Sequence, residues 1–290
     1  MRVRPTARVL RLLASTLAAA ALAACSADVT TPAAPAAKAP DGPSYYTYPS
    51  AIYRSHVEFG TPADGNSADD LILSKRQYTV SYNCAKGRPN WVSWDLNKTH
   101  YGDAPRASSF TSDASLPAGC YRVVTGDYTN SGYDRGHQVR SEERTWDITD
   151  NKSTFMMTNI VPQYHDLNAG PWLDFEYYLQ DLAQTQNKEI YVISGPSGNR
   201  GTLNGAGKVQ IPTYTWKIAV IMPYGQGLAN ATTTGSIQVI AVDMPNVTGI
   251  ISQPWTSYKT TVDKLEGFTG YNFLAKLPDT VENYWEARTF

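Results

Sequence analysis

Between Tyr133 and Glu176 the chain places an imidazole, a guanidinium, three carboxamides and three carboxylates in three close groups: Tyr133-Asp134-Arg135-Gly136-His137, Asn159-Ile160-Val161-Pro162-Gln163, and Asn168-Ala169-Gly170-Pro171-Trp172-Leu173-Asp174-Phe175-Glu176. These are the groups that metal-assisted phosphodiester hydrolysis requires. A water must attack, its proton must be accepted, and the oxygens of a pentavalent transition state need positive charge. His137 is the candidate base, because an unperturbed imidazole pKa of about 6.5 leaves it mostly neutral at neutral pH. A lone histidine is more often structural; the setting Asp-Arg-Gly-His favours chemistry. Gly136 lets the backbone pack closely beside a substrate. Asp134 is assigned to support of the site through local hydrogen bonds, with metal ligation second.

Asn168, Trp172 and Glu176 are spaced by four, which on a helix sets them down one side with a drift of about 40° per step. A carboxamide oxygen and a carboxylate then face one cation. Mg²⁺ keeps most of its waters and takes few protein ligands, so Asn168 is expected to bind it directly and Glu176 through a water. The bland alternative is a helix cap at Asn168 and a solvated Glu176.

The elements that must hold these groups follow from periodicity. Residues 171–184 carry apolar side chains at 172, 175, 179 and 182, with Pro171 suited to a first turn, which predicts a helix. Alternation over Gln77–Tyr82 and Trp91–Leu96 predicts a hairpin. Further strands are expected at Glu189–Ser194, Lys208–Ile211, Thr215–Met222 and Ser236–Asp243. A short helix is expected from Thr260 to Glu266, with Thr260 and Asp263 as its capping pair and Gly267 as its stop. The class is α+β, a central antiparallel sheet flanked by helices. Arg106 falls in a polar segment before Phe110. The glycine-bearing loop 195–208 lacks the phosphate-cradling pattern and reads as surface.

At this point the chain resembles the DNA/RNA non-specific endonucleases of the ββα-metal fold, and especially the exported sugar-non-specific nucleases of bacteria. The likeness rests on Asp134-Arg135-Gly136-His137, Met157-Thr158-Asn159 with Pro162-Gln163, and Asn168 and Trp172 with Glu176. It extends through Tyr82-Asn83, Asn90-Trp91-Val92-Ser93-Trp94 and Gly195-Pro196 to Leu265 with Thr269-Gly270-Tyr271, roughly residues 60 to 275. The resemblance implies a ββα-metal active-site motif and a catalytic set of His137, Arg106, Arg135, Asn159 and Glu176. His137 would be the general base and Arg106 a stabiliser of the transition state, while Arg135 and Asn159 would support phosphate binding and site geometry. Asn168 would be the protein ligand of a single Mg²⁺, with Mn²⁺ as a substitute, and Glu176 would hold its waters. DNA and RNA are the implied substrates and 5′-phosphate ends the implied products. One departure stands out: relatives carry an arginine one turn after the glutamate, and this chain has Gln180. A catalytically weak, nuclease-like binding module is therefore the alternative reading. His56, His100 and His165 have no matching role.

The remaining chain is address and scaffold. Residues 1–24 carry four arginines, no acidic residue and an apolar run from Leu12 to Ala24, a secretory signal pattern. Its end, Leu22-Ala23-Ala24-Cys25, resembles the lipobox of bacterial lipoproteins, which would lipidate Cys25 and place the protein in the cell envelope, at the outer membrane where one exists. Ordinary cleavage and free secretion is the other outcome. Residues 25–59 read as a linker and 60–290 as the catalytic domain. In an exported chain Cys84 and Cys120 favour a disulfide over two buried thiols. The 290 residues, 42% of them apolar and 18% charged, describe a globular chain. Without the four signal arginines there are 21 basic against 26 acidic residues, a net charge of −5. Nucleic acid must then be held by a local cationic site, since an extended phosphate footprint calls for a basic protein. Membrane contact is expected only through the lipid anchor, and no feature of the sequence identifies an inhibitor protein.

Overall fold

The computed structural model describes residues 52–290 apart from Ser236. The signal segment, Cys25 and most of the expected linker lie outside the described residues. In chain order the elements are β1 (Leu71–Ser74), β2 (Thr79–Asn83), β3 (Arg88–Leu96), β4 (Asp134–His137), α1 (Ile148–Thr154), β5 (Ile160–Gln163), α2 (His165–Asn168) and α3 (Pro171–Gln184). They continue as β6 (Lys188–Ser197), β7 (Tyr214–Pro223), β8 (Gln238–Pro245), β9 (Lys259–Thr260), α4 (Val262–Thr269) and α5 (Asp279–Glu286). Seven strands form one antiparallel sheet in the order β1-β2-β3-β6-β7-β8-β9, and β4 pairs with β5 in a separate ribbon.

Successive side chains of a strand face opposite ways, and both faces of this sheet are covered. One face, with Val80, Val92, Trp94, Ile190, Val192, Ala219 and Ile221, packs on Trp172, Phe175, Leu179 and Leu182 of α3. The other, with Trp91, Ile193, Trp216, Ile218 and Val220, packs on Val262, Leu265, Val281 and Trp285 of the two C-terminal helices. Alternation thus gives each strand one residue set per layer. In β7 it sends Lys217 to the α3 side.

Helix α3 has the expected bounds, opened by Pro171. It does not extend back to Asn168, however. Asn168 closes the separate one-turn helix α2, and Gly170 makes the break; a Cβ there would lie 2.4 Å from the Asp166 carbonyl oxygen and 2.6 Å from that of Ile251. The expected terminal helix is shifted: Thr261 is the N-cap of α4, Gly267 lies inside it, and Gly270, at φ +80°, ends it. Residues 208–211 form no strand beyond a single bridge from Gln210 to Thr202, since Gln210 N–H bonds the Lys86 carbonyl instead. The hairpin of β2 and β3 forms as expected, buried on both faces.

The linker boundary also moves. Residues 52–59 are packed on the domain: Ile52 and Phe59 are buried, the Tyr53 hydroxyl donates to Asp150 at 2.7 Å, and Arg54 N–H donates to Asp95 at 3.0 Å. His56 and His100 flank the buried Asp95 carboxylate at 2.9 and 3.5 Å, a scaffolding role.

Cys84 and Cys120 are joined in a disulfide across 36 residues of sequence. The closed loop contains Arg106 and Phe110. Closing a loop of this length removes denatured-state entropy equivalent to about 3–4 kcal/mol. Replacing both cysteines by serine should lower the free energy of unfolding by that order in a urea titration, and an unchanged midpoint would contradict the role.

Candidate active site

The ribbon carries the first half of the site. Asp134–His137 pairs with Gln163–Ile160, so Asp134 lies opposite Gln163 and His137 opposite Ile160. Gly136 is required here by close approach, not by φ: a Cβ would meet Gln163 Oε1 at 1.9 Å and its Cγ at 2.8 Å. The space left by the missing Cβ admits the Gln163 amide, whose Nε2 donates to Thr215 Oγ1 of β7 at 3.2 Å. Ser194 of β6 donates to Gln138 Oε1 at 2.9 Å. These two contacts fix the ribbon against the large sheet.

Asn159 lies beneath the site and has no path to phosphate. It is fully buried; its Oδ1 accepts from Val139 N–H, and its Nδ2 donates to the Val139 and Thr154 carbonyls. These bonds tie the backbone just after His137 to the end of α1, so it is a positioning residue.

The His137 ring lies between two aromatic rings, tilted against Phe110 at 5.4 Å and edge-on to Phe155 at 4.9 Å. Each of these rings carries an arginine on its own face: Arg135 lies 4.8 Å from the centre of Phe110, and Arg106 lies 5.0 Å from that of Phe155. Arg106 thus reaches the histidine from the disulfide-closed loop, which is further tied by Ala107 N–H donating to Asn151. Nε2 of His137 is enclosed with no partner among the described residues, whereas Nδ1 is not enclosed. Burial, then the charges of Arg106 and Arg135, hold the imidazole down to about 3, so the ring is neutral at neutral pH. The Trp172 indole N–H donates to the His137 carbonyl at 3.3 Å and ties the ribbon to α3.

Asn168 is brought beside Asp134 by the turn of α2. Its Nδ2 donates to Asp134 Oδ2 at 3.0 Å, and His165 Nδ1 lies 2.9 Å from the same oxygen. Asp134 therefore acts first as the support that orients Asn168. The carboxamide oxygen has no donor among the described residues and is the atom a hard cation would take. His165 is mostly exposed at the edge of this group.

Glu176 is almost fully buried between two cations. Lys217 Nζ lies 3.3 Å from Oε1, and Arg140 Nε lies 3.6 Å from Oε2. Burial raises its carboxyl pKa, and Lys217 and Arg140 oppose that shift. Lys217 has no exposure and sits 4.1 Å from the centre of the Trp172 ring. The sequence reading passed over both cations. A single lysine inside the apolar run Trp216–Met222 was the visible signal for Lys217.

The missing arginine at 180 is answered in space. Gln180 Oε1 accepts from Arg140 Nη1 at 2.6 Å, and the same guanidinium covers the Tyr177 ring at 4.5 Å. A cation thus stands one turn beyond Glu176, supplied by the segment after the ribbon. Trp172 is core and not a stacking surface, and Tyr178 packs with Phe175 and Trp255.

A neutral imidazole near two guanidiniums that have no ion-pair partner among the described residues, with a carboxamide oriented by Asp134 of the same strand, suits an anionic substrate. The chain belongs to the DNA/RNA non-specific endonuclease family, which it matches over residues 56–280, and it is a nuclease of this metal-dependent family. It is 40% identical over 238 residues to a nuclease of Nostoc sp., covering 80% of this chain and 85% of that one. It is 28% identical over 236 residues to the mitochondrial nuclease EXOG of Xenopus laevis, covering 76% of this chain and 62% of the relative. Among solved structures, EndoG in the EndoG/EndoGI complex matches at a TM-score of 0.66 and 22% identity, over 78% of this chain and 92% of that chain. The fold is that of the ββα-metal nucleases.

Because Arg140 already occupies the turn at Gln180, Gln180→Arg alone should give no gain in kcat/KM. Arg140→Ala should cost roughly tenfold or more, the size of one lost charge-assisted contact. Adding Gln180→Arg to that variant should restore much of the loss. A tenfold gain from Gln180→Arg in the wild-type background, measured on one DNA substrate, would contradict this assignment.

Proposed function

We propose that this nuclease is an exported, Mg²⁺-dependent endonuclease that hydrolyses phosphodiester bonds of DNA and RNA with little sequence specificity and leaves 5′-phosphate ends. The observation that carries the reading is His137: a neutral imidazole with Nε2 shut in and Nδ1 open, between two arginines. Nδ1 accepts the proton of the attacking water, which a ring already protonated at neutral pH would be unable to do. Arg106 and Arg135 meet the charge that grows on the phosphoryl oxygens. They also confine attraction to the site, in keeping with a mature chain that is acidic overall.

Asn168 fits a hard divalent cation, since it offers an oxygen held in place through its own amide nitrogen. When bound there with most of its waters, Mg²⁺ supplies charge stabilisation to the phosphate. Glu176 holds water beside Asn168, its own position fixed by Lys217 and Arg140. The alternative of a catalytically weak binding module rested on Gln180, and the Arg140 guanidinium at that turn weighs against it.

Export is proposed from the signal pattern of residues 1–24, and the disulfide suits an oxidising compartment. A lipid anchor at Cys25 would hold the domain at the envelope, since acylation at more than one position supplies the two signals that stable anchoring needs.

Two measurements test these readings. In plasmid digestion with Mg²⁺ and with EDTA, His137→Ala should lower kcat by roughly 10²–10⁴-fold while leaving the fold intact, and Asn168→Ala should raise the Mg²⁺ requirement. Full activity in a folded His137→Ala protein would sink the mechanism. For the address, Cys25→Ser should release a membrane-bound protein into the soluble fraction, and mass spectrometry finding an unmodified N-terminus at or beyond Ser26 would exclude lipidation.

A further inference from the structure

On the face of the sheet opposite α3, the two C-terminal helices bring three carboxylates together. Asp263 and Glu266 stand one turn apart on α4, and Glu286 ends α5. One oxygen from each lies within 4.8 Å of the others. Asp263 is exposed, Glu266 is half-buried and Glu286 is 5% exposed.

Glu286 is the second, independent observation. Its Oε1 is enclosed and has no hydrogen-bond donor or ion-pair partner among the described residues. Burial, then Glu266, Glu282 and Asp263, disfavour its charged form, and no cation among the described residues pairs with it. An enclosed carboxylate normally has a donor or a counter-charge, because burying an unpaired anion costs several kcal/mol. Here its neighbours are acids. Glu266 gives one oxygen to Phe273 N–H at 2.8 Å, which fixes the carboxylate and leaves the other oxygen available.

Calcium takes oxygen ligands at about 2.3–2.6 Å, so two ligands on opposite sides of one ion stand about 4.8 Å apart. The three carboxylates fit within that sphere, and the exposed Asp263 leaves room for the waters that complete it. We propose that Asp263, Glu266 and Glu286 form a structural calcium site that fastens α5 to α4, separate from the catalytic centre. The site involves no residue of the nuclease mechanism and does not depend on it.

The test is thermal unfolding of the full chain carrying Asn168→Ala, which removes the active-site metal ligand, first in EDTA and then in excess Ca²⁺. Calcium should raise the midpoint by roughly 5 °C or more once well above its dissociation constant. That shift should vanish when Glu286→Gln or Asp263→Asn is added; the second is an exposed position whose loss leaves folding intact. In EDTA, Glu286→Gln should melt no lower than its parent, because an amide replaces an enclosed carboxyl that has no partner among the described residues. No calcium shift in the parent would overturn the proposal, leaving Glu286 as a protonated carboxyl. An equal shift in both variants would overturn it as well, by placing the ion elsewhere.

Discussion

The Glu176 carboxylate is the point through which three layers of the structure are registered. It projects from α3, Lys217 reaches it from β7 of the sheet, and Arg140 reaches it from the segment that follows the ribbon. Buried ion pairs contribute little net stability, because desolvation offsets most of the attraction. Their geometry is exacting, however, and removal of one partner strands the others. The histidine is on the ribbon and the carboxamide and carboxylate are on helices, so catalysis requires these layers to meet in one arrangement. The Trp172 indole, bonded to the His137 carbonyl on one side and lying under Lys217 on the other, completes that registration.

The same packing sets the charge state of the base. An imidazole placed between Phe110 and Phe155 loses solvation, and the two arginines over those rings make a further positive charge costly. The arginines thereby serve twice. On the proposed mechanism they keep His137 unprotonated before substrate arrives and receive the phosphate when it does. On that reading an acidic chain works on nucleic acid through positive charge gathered at the site itself.

Much of this was legible in the sequence, for identifiable reasons. Helix α3 announced itself through its 3.6-residue stripe and Pro171, and the ribbon residues through a run of chemically distinct types. The joint between Asn168 and Trp172 was not legible, since their spacing of four fits a continuous helix; only the crowding around Gly170 shows why the chain must break there. Asn159 was expected to support both phosphate binding and site geometry, and its buried hydrogen bonds leave it the second role, because a family position carries no information on which way a side chain turns. Arg140 and Lys217 lay outside the motif windows, 36 residues before and 41 after Glu176. Their roles arise from tertiary packing, with a lone lysine in an apolar strand as the only local sign.

The central claim is a division of labour: Asn168 ligates the metal directly, and Glu176, held on both oxygens by Lys217 and Arg140, does so only through water. Anomalous diffraction from Mn²⁺-soaked crystals tests it most directly. The account predicts one site-specific peak at about 2.1 Å from Asn168 Oδ1, a hard-cation distance, with Glu176 beyond bonding range. A peak bonded directly to the Glu176 carboxylate, or one centred on Asp134 with Asn168 uninvolved, would contradict it.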